Sequence, residues 1–196
     1  MRRWLGSLNH FDFAAPVYDR VIRGQSIDRL RALARLTTDD WLLDIGGGTG
    51  RIAQGLRPYV RGVCVLDRSS GMLREAVSKG ALAPCRAGAE ALPFESGAFA
   101  KIVAVDAFHH IQEQAAAAQE FLRVLAPGGT LVIEEPDIRR ASVKLVALGE
   151  AVALMRSHFL KPSALARFFA TAEVRIRVVE EAPNFWVVVE KSLPGR

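Results

Sequence analysis

Cysteine is scarce in this chain: 196 residues carry two, Cys64 and Cys85, too few for a disulfide framework. Both sit in apolar stretches that read as neighbouring strands, so reduced, buried thiols are expected. No hydrophobic run is long enough to span a bilayer; the stretch from Lys144 to Met155 is broken by Gly149 and Glu150. The opening Met1-Arg2-Arg3-Trp4-Leu5 has a basic pair but no apolar run after it, so no secretory signal is expected. These absences argue against a disulfide-stapled scaffold and a membrane span, and they predict a cytoplasmic protein. Repeats and linkers are missing as well, and no metal site is expected. The net charge is +5, but the basic residues are scattered rather than gathered into a nucleic-acid tail. They read as solubility charge and leave room for peripheral contact with a phospholipid surface; nucleic acid is not an expected partner. Nothing in the sequence fixes an oligomeric state.

What is present is a regular alternation. Half the residues are hydrophobic, enough for a single domain over residues 1–196 with a real core. Trp41–Ile45, Val60–Leu66, Ala81–Arg86, Ala100–Asp106 and Thr130–Glu134 read as strands. Helices are expected at Thr49–Arg57, Ser69–Lys79 and Gln112–Leu125, the last ended by Pro127-Gly128-Gly129. Strands alternating with helices predict a parallel sheet with right-handed crossovers. Runs such as Val63–Leu66 and Ile102–Val105 are apolar without interruption, as in strands buried on both faces. The tail departs from this rhythm. Ala141–Ser157 and Ser163–Thr171 look helical, and Val174–Glu180 and Phe185–Glu190 are β-rich runs joined by a short Pro183-Asn184 turn. Strands joined so tightly must be antiparallel.

The densest signal is Asp44-Ile45-Gly46-Gly47-Gly48-Thr49-Gly50, directly after the first strand. A strand that ends in glycines and turns into a helix lets backbone approach a ligand and aims free N–H groups at it. A dinucleotide fingerprint needs its third glycine three positions after the second, and Arg51 stands there instead. Asp67 closes the second strand about twenty positions on, where a carboxylate can accept one hydrogen bond from each hydroxyl of a ribose diol. It can also cap the helix that follows. Met72, one helical turn further, is placed either to lie against an adenine face or to fill core space.

Asp44, Gly46, Gly48 and Gly50 spell acid-x-Gly-x-Gly-x-Gly, which resembles motif I of the class I S-adenosylmethionine (SAM) methyltransferases. Ala87-Gly88-Ala89-Glu90-Ala91-Leu92-Pro93-Phe94, His109-His110-Ile111 and Leu122–Gly129 resemble segments of the small-molecule methyltransferases of ubiquinone and menaquinone biosynthesis. Phe11 to Asp19, with Tyr18-Asp19, resembles that family's N-terminal element, so the matches run from about residue 11 to residue 136. The resemblance implies a Rossmann-like seven-stranded α/β sheet, mostly parallel, closed by a C-terminal antiparallel hairpin. It implies SAM as cofactor, held by Tyr18, Asp44, Gly46, Gly47, Gly48, Gly50, Asp67, Arg68, Met72, Gly88, Ala89, Glu90 and Asp106. Residues 1–38 would form a cap, and residues 139–171 a helical insertion over the acceptor site.

One position departs from the family: an adenine-facing Asp is replaced by Gly88, a change that Ala89 backbone or Glu90 can offset. His109 is the candidate catalytic base, with pocket-shaping as its other reading, and Glu134 and Glu135 are weaker candidates for the base. Asp106-Ala107-Phe108-His109 lacks the (Asn/Asp)-Pro-Pro-aromatic turn of enzymes that methylate adenine or glutamine nitrogen. Leu154, Met155, Phe159, Leu160, Phe168 and Phe169 suggest an apolar or aromatic acceptor, although a helix packed on the sheet would contain the same residues. The expected function is methyl transfer to a small molecule. The alternative is a SAM-binding protein of the same fold without transfer activity.

Overall fold

The computed structural model describes residues 27–152 and 157–193. Helix α1 (Ile27–Ala34) leads into strand β1 (Trp41–Ile45), helix α2 (Arg51–Leu56), strand β2 (Gly62–Asp67), helix α3 (Ser70–Ser78) and strand β3 (Ala83–Arg86). Strand β4 (Phe99–Val105) is followed by a 3-10 turn (Phe108–His110), helix α4 (Gln114–Val124) and strand β5 (Leu125–Pro136). Helices α5 (Ala141–Val152) and α6 (Pro162–Arg167) then precede the hairpin strands β6 (Val174–Glu181) and β7 (Asn184–Lys191).

The seven strands form one sheet in the order β3-β2-β1-β4-β5-β7-β6. Its first five strands are parallel neighbours, and β7 inserts antiparallel between β5 and β6. The chain order therefore reverses between β1 and β4, the switch point where open α/β sheets bind ligands outside the carboxyl ends of their strands.

Both faces of the sheet are covered, which is why its strands read as unbroken apolar runs. Leu43, Ile45, Ile102, Ala104, Leu131 and Ile133 pack on one side with Phe108, Phe121 and Phe169. Leu42, Val63, Val65, Val103 and Val132 pack on the other, with Leu30 and Leu33 of α1, Leu56 of α2 and Leu73 of α3. Cys64 is buried and Cys85 half-buried on adjacent strands, both as free thiols. Burial raises both thiols, Cys64 to about 12, which keeps them protonated and unreactive.

Most element bounds shift by a residue or two, and some differ in a way that matters. Pro127-Gly128-Gly129 does not separate α4 from its strand: Leu125 is already extended (φ −72°, ψ 124°) and β5 begins there. A register shift between Phe99 and Lys101 absorbs the irregular backbone, as a β-bulge does. Of the insertion's helices, α5 is described over Ala141–Val152, and α6 is shorter than expected, spanning six residues with Pro162 in its first turn. Of the proposed 1–38 cap, residues 27–34 form α1; Tyr18 and its neighbours lie outside the described residues.

Candidate cofactor and acceptor site

At the carboxyl end of β1 the glycine turn is built for close packing at three positions and for open space at one. A Cβ on Gly46 (φ +71°) would stand 2.6 Å from the Ala107 Cβ, one on Gly47 2.6 Å from Asp44 Oδ2, and one on Gly50 (φ +73°) 2.7 Å from Leu82 Cδ1. At Gly48 (φ +55°) nothing is nearer than Met72 Sδ at 3.8 Å, with Asp67 Oδ2 at 4.0 Å. Gly46, Gly47 and Gly50 let the turn nest against the sheet; Gly48 leaves a vacant cradle beside Asp67 and Met72.

Asp67 faces that cradle. Its Oδ2 accepts the Gly48 N–H at 3.1 Å and its Oδ1 accepts the Ser69 N–H at 2.7 Å, so one carboxylate joins the glycine turn to the start of α3. Ser69 is the residue that caps α3, accepting the Met72 N–H at 3.0 Å. Met72 is almost fully buried, with its sulfur toward Gly48. At the foot of the turn Asp44 is 1% exposed and its Oδ2 has no hydrogen-bond partner. Burial, then the Asp67 charge, push its carboxyl up to about 7.

The departure at Gly88 is answered by its neighbour. Glu90 Oε2 lies 2.8 Å from where a Cβ on Gly88 would stand, so a carboxylate occupies that place from two residues along the chain. Arg68, on the turn after β2, reaches Glu90 Oε1 at 3.5 Å and forms the outer side of this pocket. Ala89 is buried behind it.

A second group of polar residues gathers at the ends of β4 and β5. The chain leaves β4 through Asp106, which adopts φ +54°, a conformation that Asp tolerates better than most residues. Asp106 donates its N–H to the Glu134 carbonyl at 2.9 Å. The next two amides, Ala107 and Phe108, both donate to Glu135 Oε1, at 3.1 and 2.7 Å. Glu135 Oε2 lies 2.6 Å from His109 Nδ1. His109 is 2% exposed, its ring stacked on Phe159 (4.3 Å, 17°) and against His110 (4.0 Å).

Burial holds His110 neutral, pushed down to about 3, and its Nδ1 meets the Ser157 hydroxyl at 3.1 Å. Glu134 is buried on the opposite side of β5, with Oε1 accepting from Asn184 Nδ2 at 2.8 Å. The neighbouring Trp186 indole N–H also faces this carboxylate, and its hydrogen bond, like that of Asn184, works against the rise in pKa. Burial, and the charges of Asp106 and Glu135, carry Glu134 up to about 7.

The structure thus brings Asp44, Gly46–Gly50, Asp67 and Met72 to one cradle, Arg68, Gly88, Ala89 and Glu90 to its rim, and Asp106 and His109 to the next strand end. Tyr18, Leu154 and Met155 lie outside the described residues. Phe169 is spent in the core, fully buried against Phe108 and Phe121. Leu160 and Phe168 are only partly buried. Sequence reasoning weighed Glu135 as a base and missed its role as an anchor for the Ala107–His109 backbone; an acid following another acid at a strand end was the one available sign. Among the described residues no group of three or more His, Cys, Asp or Glu could hold a metal ion.

These residues fit S-adenosylmethionine on the structure's own terms. A cradle free of Cβ atoms lies beside an acid suited to a diol, and a buried carboxylate oxygen lacks a partner at the turn's foot.

Comparison with known proteins agrees. A family model described as a methyltransferase domain matches residues 43–133. The ubiquinone/menaquinone biosynthesis C-methyltransferase UbiE of Coxiella burnetii is 35% identical over 111 residues, covering 52% of this chain and 44% of that protein. The demethylmenaquinone methyltransferase of Renibacterium salmoninarum is 32% identical over 133 residues, covering 64% of this chain and 56% of that one. The chain thus spans about half the length of these curated relatives. The crystal structure of an S-adenosylmethionine-dependent methyltransferase from Mesorhizobium loti superposes with a TM-score of 0.72 at 17% identity, over 85% of this chain and all of that one.

Proposed function

We propose that this chain, whose residues 43–133 match a methyltransferase-domain model and which is similar to methyltransferases of ubiquinone and menaquinone biosynthesis, transfers a methyl group from S-adenosylmethionine to a small apolar or aromatic acceptor. Asp67 takes the ribose diol, Gly48 and Met72 give the adenosine a flat seat, and Glu90 with Arg68 reads the adenine edge. Asp44 and Asp106 face the methionine end. A cationic ligand there is favoured because the buried Asp44 carboxyl, pushed up to about 7, regains its charge on meeting one.

When bound, the cofactor supplies an already activated methyl group, so the protein's share is alignment, exclusion of water and proton management. His109 manages the proton. The apolar character of the acceptor rests on Phe159, stacked on His109, and on the partly buried Leu160 and Phe168.

The observation that carries this reading is the paired grip of Asp67 on Gly48 and Ser69, which sets a diol acceptor beside an open glycine. Isothermal titration with S-adenosylhomocysteine tests it. Wild type is expected to bind. Asp67→Asn, which keeps one acceptor oxygen of two, should lose roughly tenfold to a hundredfold in affinity, the order for one or two hydrogen bonds to a charged group. Absence of heat in folded wild-type protein would sink the reading.

A further inference from the structure

Helix α5 takes no part in the site described above, and its apolar side faces solvent. Val143 is its inward residue, 4% exposed. At 3.6 residues per turn, Leu145 and Leu148 fall on the side opposite Val143, and they are 70% and 63% exposed. Val146, at their flank, is 53% exposed. Six large apolar side chains are exposed among the described residues, and these three are the ones that share an element. A surface helix ordinarily turns polar residues outward. One that turns leucines outward marks a contact surface.

The net charge of +5 is placed in the same part of the chain. Residues 139–171 hold six basic residues and one acidic residue, and the rest of the chain holds twenty of each. The whole excess therefore belongs to the segment that carries α5 and α6, which lies beyond the residues matched by the methyltransferase-domain model. Arg139 is spent within the fold: Nη2 meets Asp137 at 2.7 Å and Glu180 at 2.6 Å, which pins the start of α5 to β6. Arg140 Nε stands 3.8 Å from the same Asp137. Lys144, Lys161 and Arg167 are exposed and form no ion pair among the described residues.

We propose that the outer face of α5 docks on an anionic phospholipid bilayer. Leu145, Val146 and Leu148 enter the boundary between headgroups and acyl chains. Lys144 beside them, with Lys161 and Arg167 of the same segment, supplies the attraction to lipid phosphates. Charge selects this occupant. A second copy of the chain would bring a segment of the same sign against this one. Nucleic acid would answer the charge but leave the leucines in water, since they offer phosphates and base edges no hydrogen bond. An anionic bilayer answers both. Helix α5 begins five residues past the end of β5, and Phe159, further along the segment, stacks on His109. Docking therefore brings the carboxyl ends of β4 and β5 to the bilayer surface. The inference goes beyond the methyl-transfer reading and does not depend on it.

Co-sedimentation with vesicles is the test. Wild-type protein should pellet with vesicles of phosphatidylcholine and phosphatidylglycerol in equal parts and stay in solution with phosphatidylcholine alone. Raising the salt shortens the Debye length and should release it. Leu145→Gln combined with Leu148→Gln preserves helix propensity and should lower the partition coefficient at least tenfold, the order for two leucine side chains left in water. Lys144→Gln combined with Lys161→Gln should lower it roughly twentyfold, about fivefold for each lysine near an anionic surface.

Wild type that ignores anionic vesicles overturns the proposal, and so does a leucine double variant that binds them as wild type does. Light scattering that reveals a dimer dissolved by the leucine changes gives the face to a second copy and also overturns it. Calorimetry with S-adenosylhomocysteine on the same proteins keeps the two readings apart. Vesicle binding without cofactor binding condemns only the methyltransferase reading, and cofactor binding without vesicle binding condemns only this one. Cofactor affinity unchanged in the variants shows that they fold, so that a lost partition belongs to the face and not to the fold.

Discussion

Glu90 stands in the place of a residue the chain does not have. Its carboxylate stands where a side chain on Gly88 would begin, braced by Arg68. Removing it in Glu90→Ala should weaken S-adenosylhomocysteine binding about fivefold to tenfold, the size of one hydrogen bond. Adding Gly88→Asp to that variant should recover the loss. In the wild-type background the same substitution crowds two acids together and should not improve binding. Calorimetry on the three proteins distinguishes these outcomes. At this scale the sequence was legible where chemistry depends on residue type and spacing, as with Asp67 and the glycines. It was less so where a side chain acts from a neighbouring position, because reach and direction are set by packing. Glu135 illustrates the point: its identity suggested a base, and only its contacts reveal an acceptor for three donors.

The glycine turn works as an element, and its members have separable duties. Gly46→Ala drives a Cβ into Ala107 at positive φ. It should cost about 2 kcal/mol or more in stability, read by denaturant unfolding. Gly48→Ala meets no such obstacle; its cost in stability should be near 1 kcal/mol, the penalty of a left-handed alanine. Its methyl group, however, enters the cradle beside Asp67, so ligand affinity should fall by more than stability does. The element boundaries carry the same lesson as the residues. Trp41–Ile45 was readable to the residue, because an apolar run meets four glycines. Pro127-Gly128-Gly129 was misread as a helix stop because those residues also suit the bulged start of a strand, and pairing with β4 decides between the two.

Across the whole molecule, buried titrating groups set how stability depends on pH. Asp44 and Glu134 are carried from 3.8 and 4.5 up to about 7, so between those limits the folded protein holds two protons that the unfolded chain has released. Their contribution to stability is therefore lost as pH rises through that window, at about 1.4 kcal/mol per pH unit for each group. His110 acts in the opposite sense. Pushed from 6.5 down to about 3, it stays neutral when folded while the unfolded chain takes up a proton, so its contribution is lost as pH falls below 6.5. From pH 4.5 to 6.5 the two carboxyls outweigh the one imidazole, and the ligand-free protein should lose stability as pH rises. Asp44→Asn or Glu134→Gln should flatten that slope and raise stability at pH 7, and His110→Gln should steepen it. Chemical denaturation over a pH series measures all three.

The order of strand and helix, the turn at which a ligand can approach backbone, and the acid that meets it were determined by sequence alone, since each follows from hydrophobic period, glycine placement and local spacing. What tertiary structure decided is which distant groups share a space. Glu135 comes to His109 from the next strand, and Phe159 covers the ring from fifty residues along the chain. The charges of Asp44, Glu134 and His110 likewise follow from burial in the folded chain and the loss of water that accompanies it.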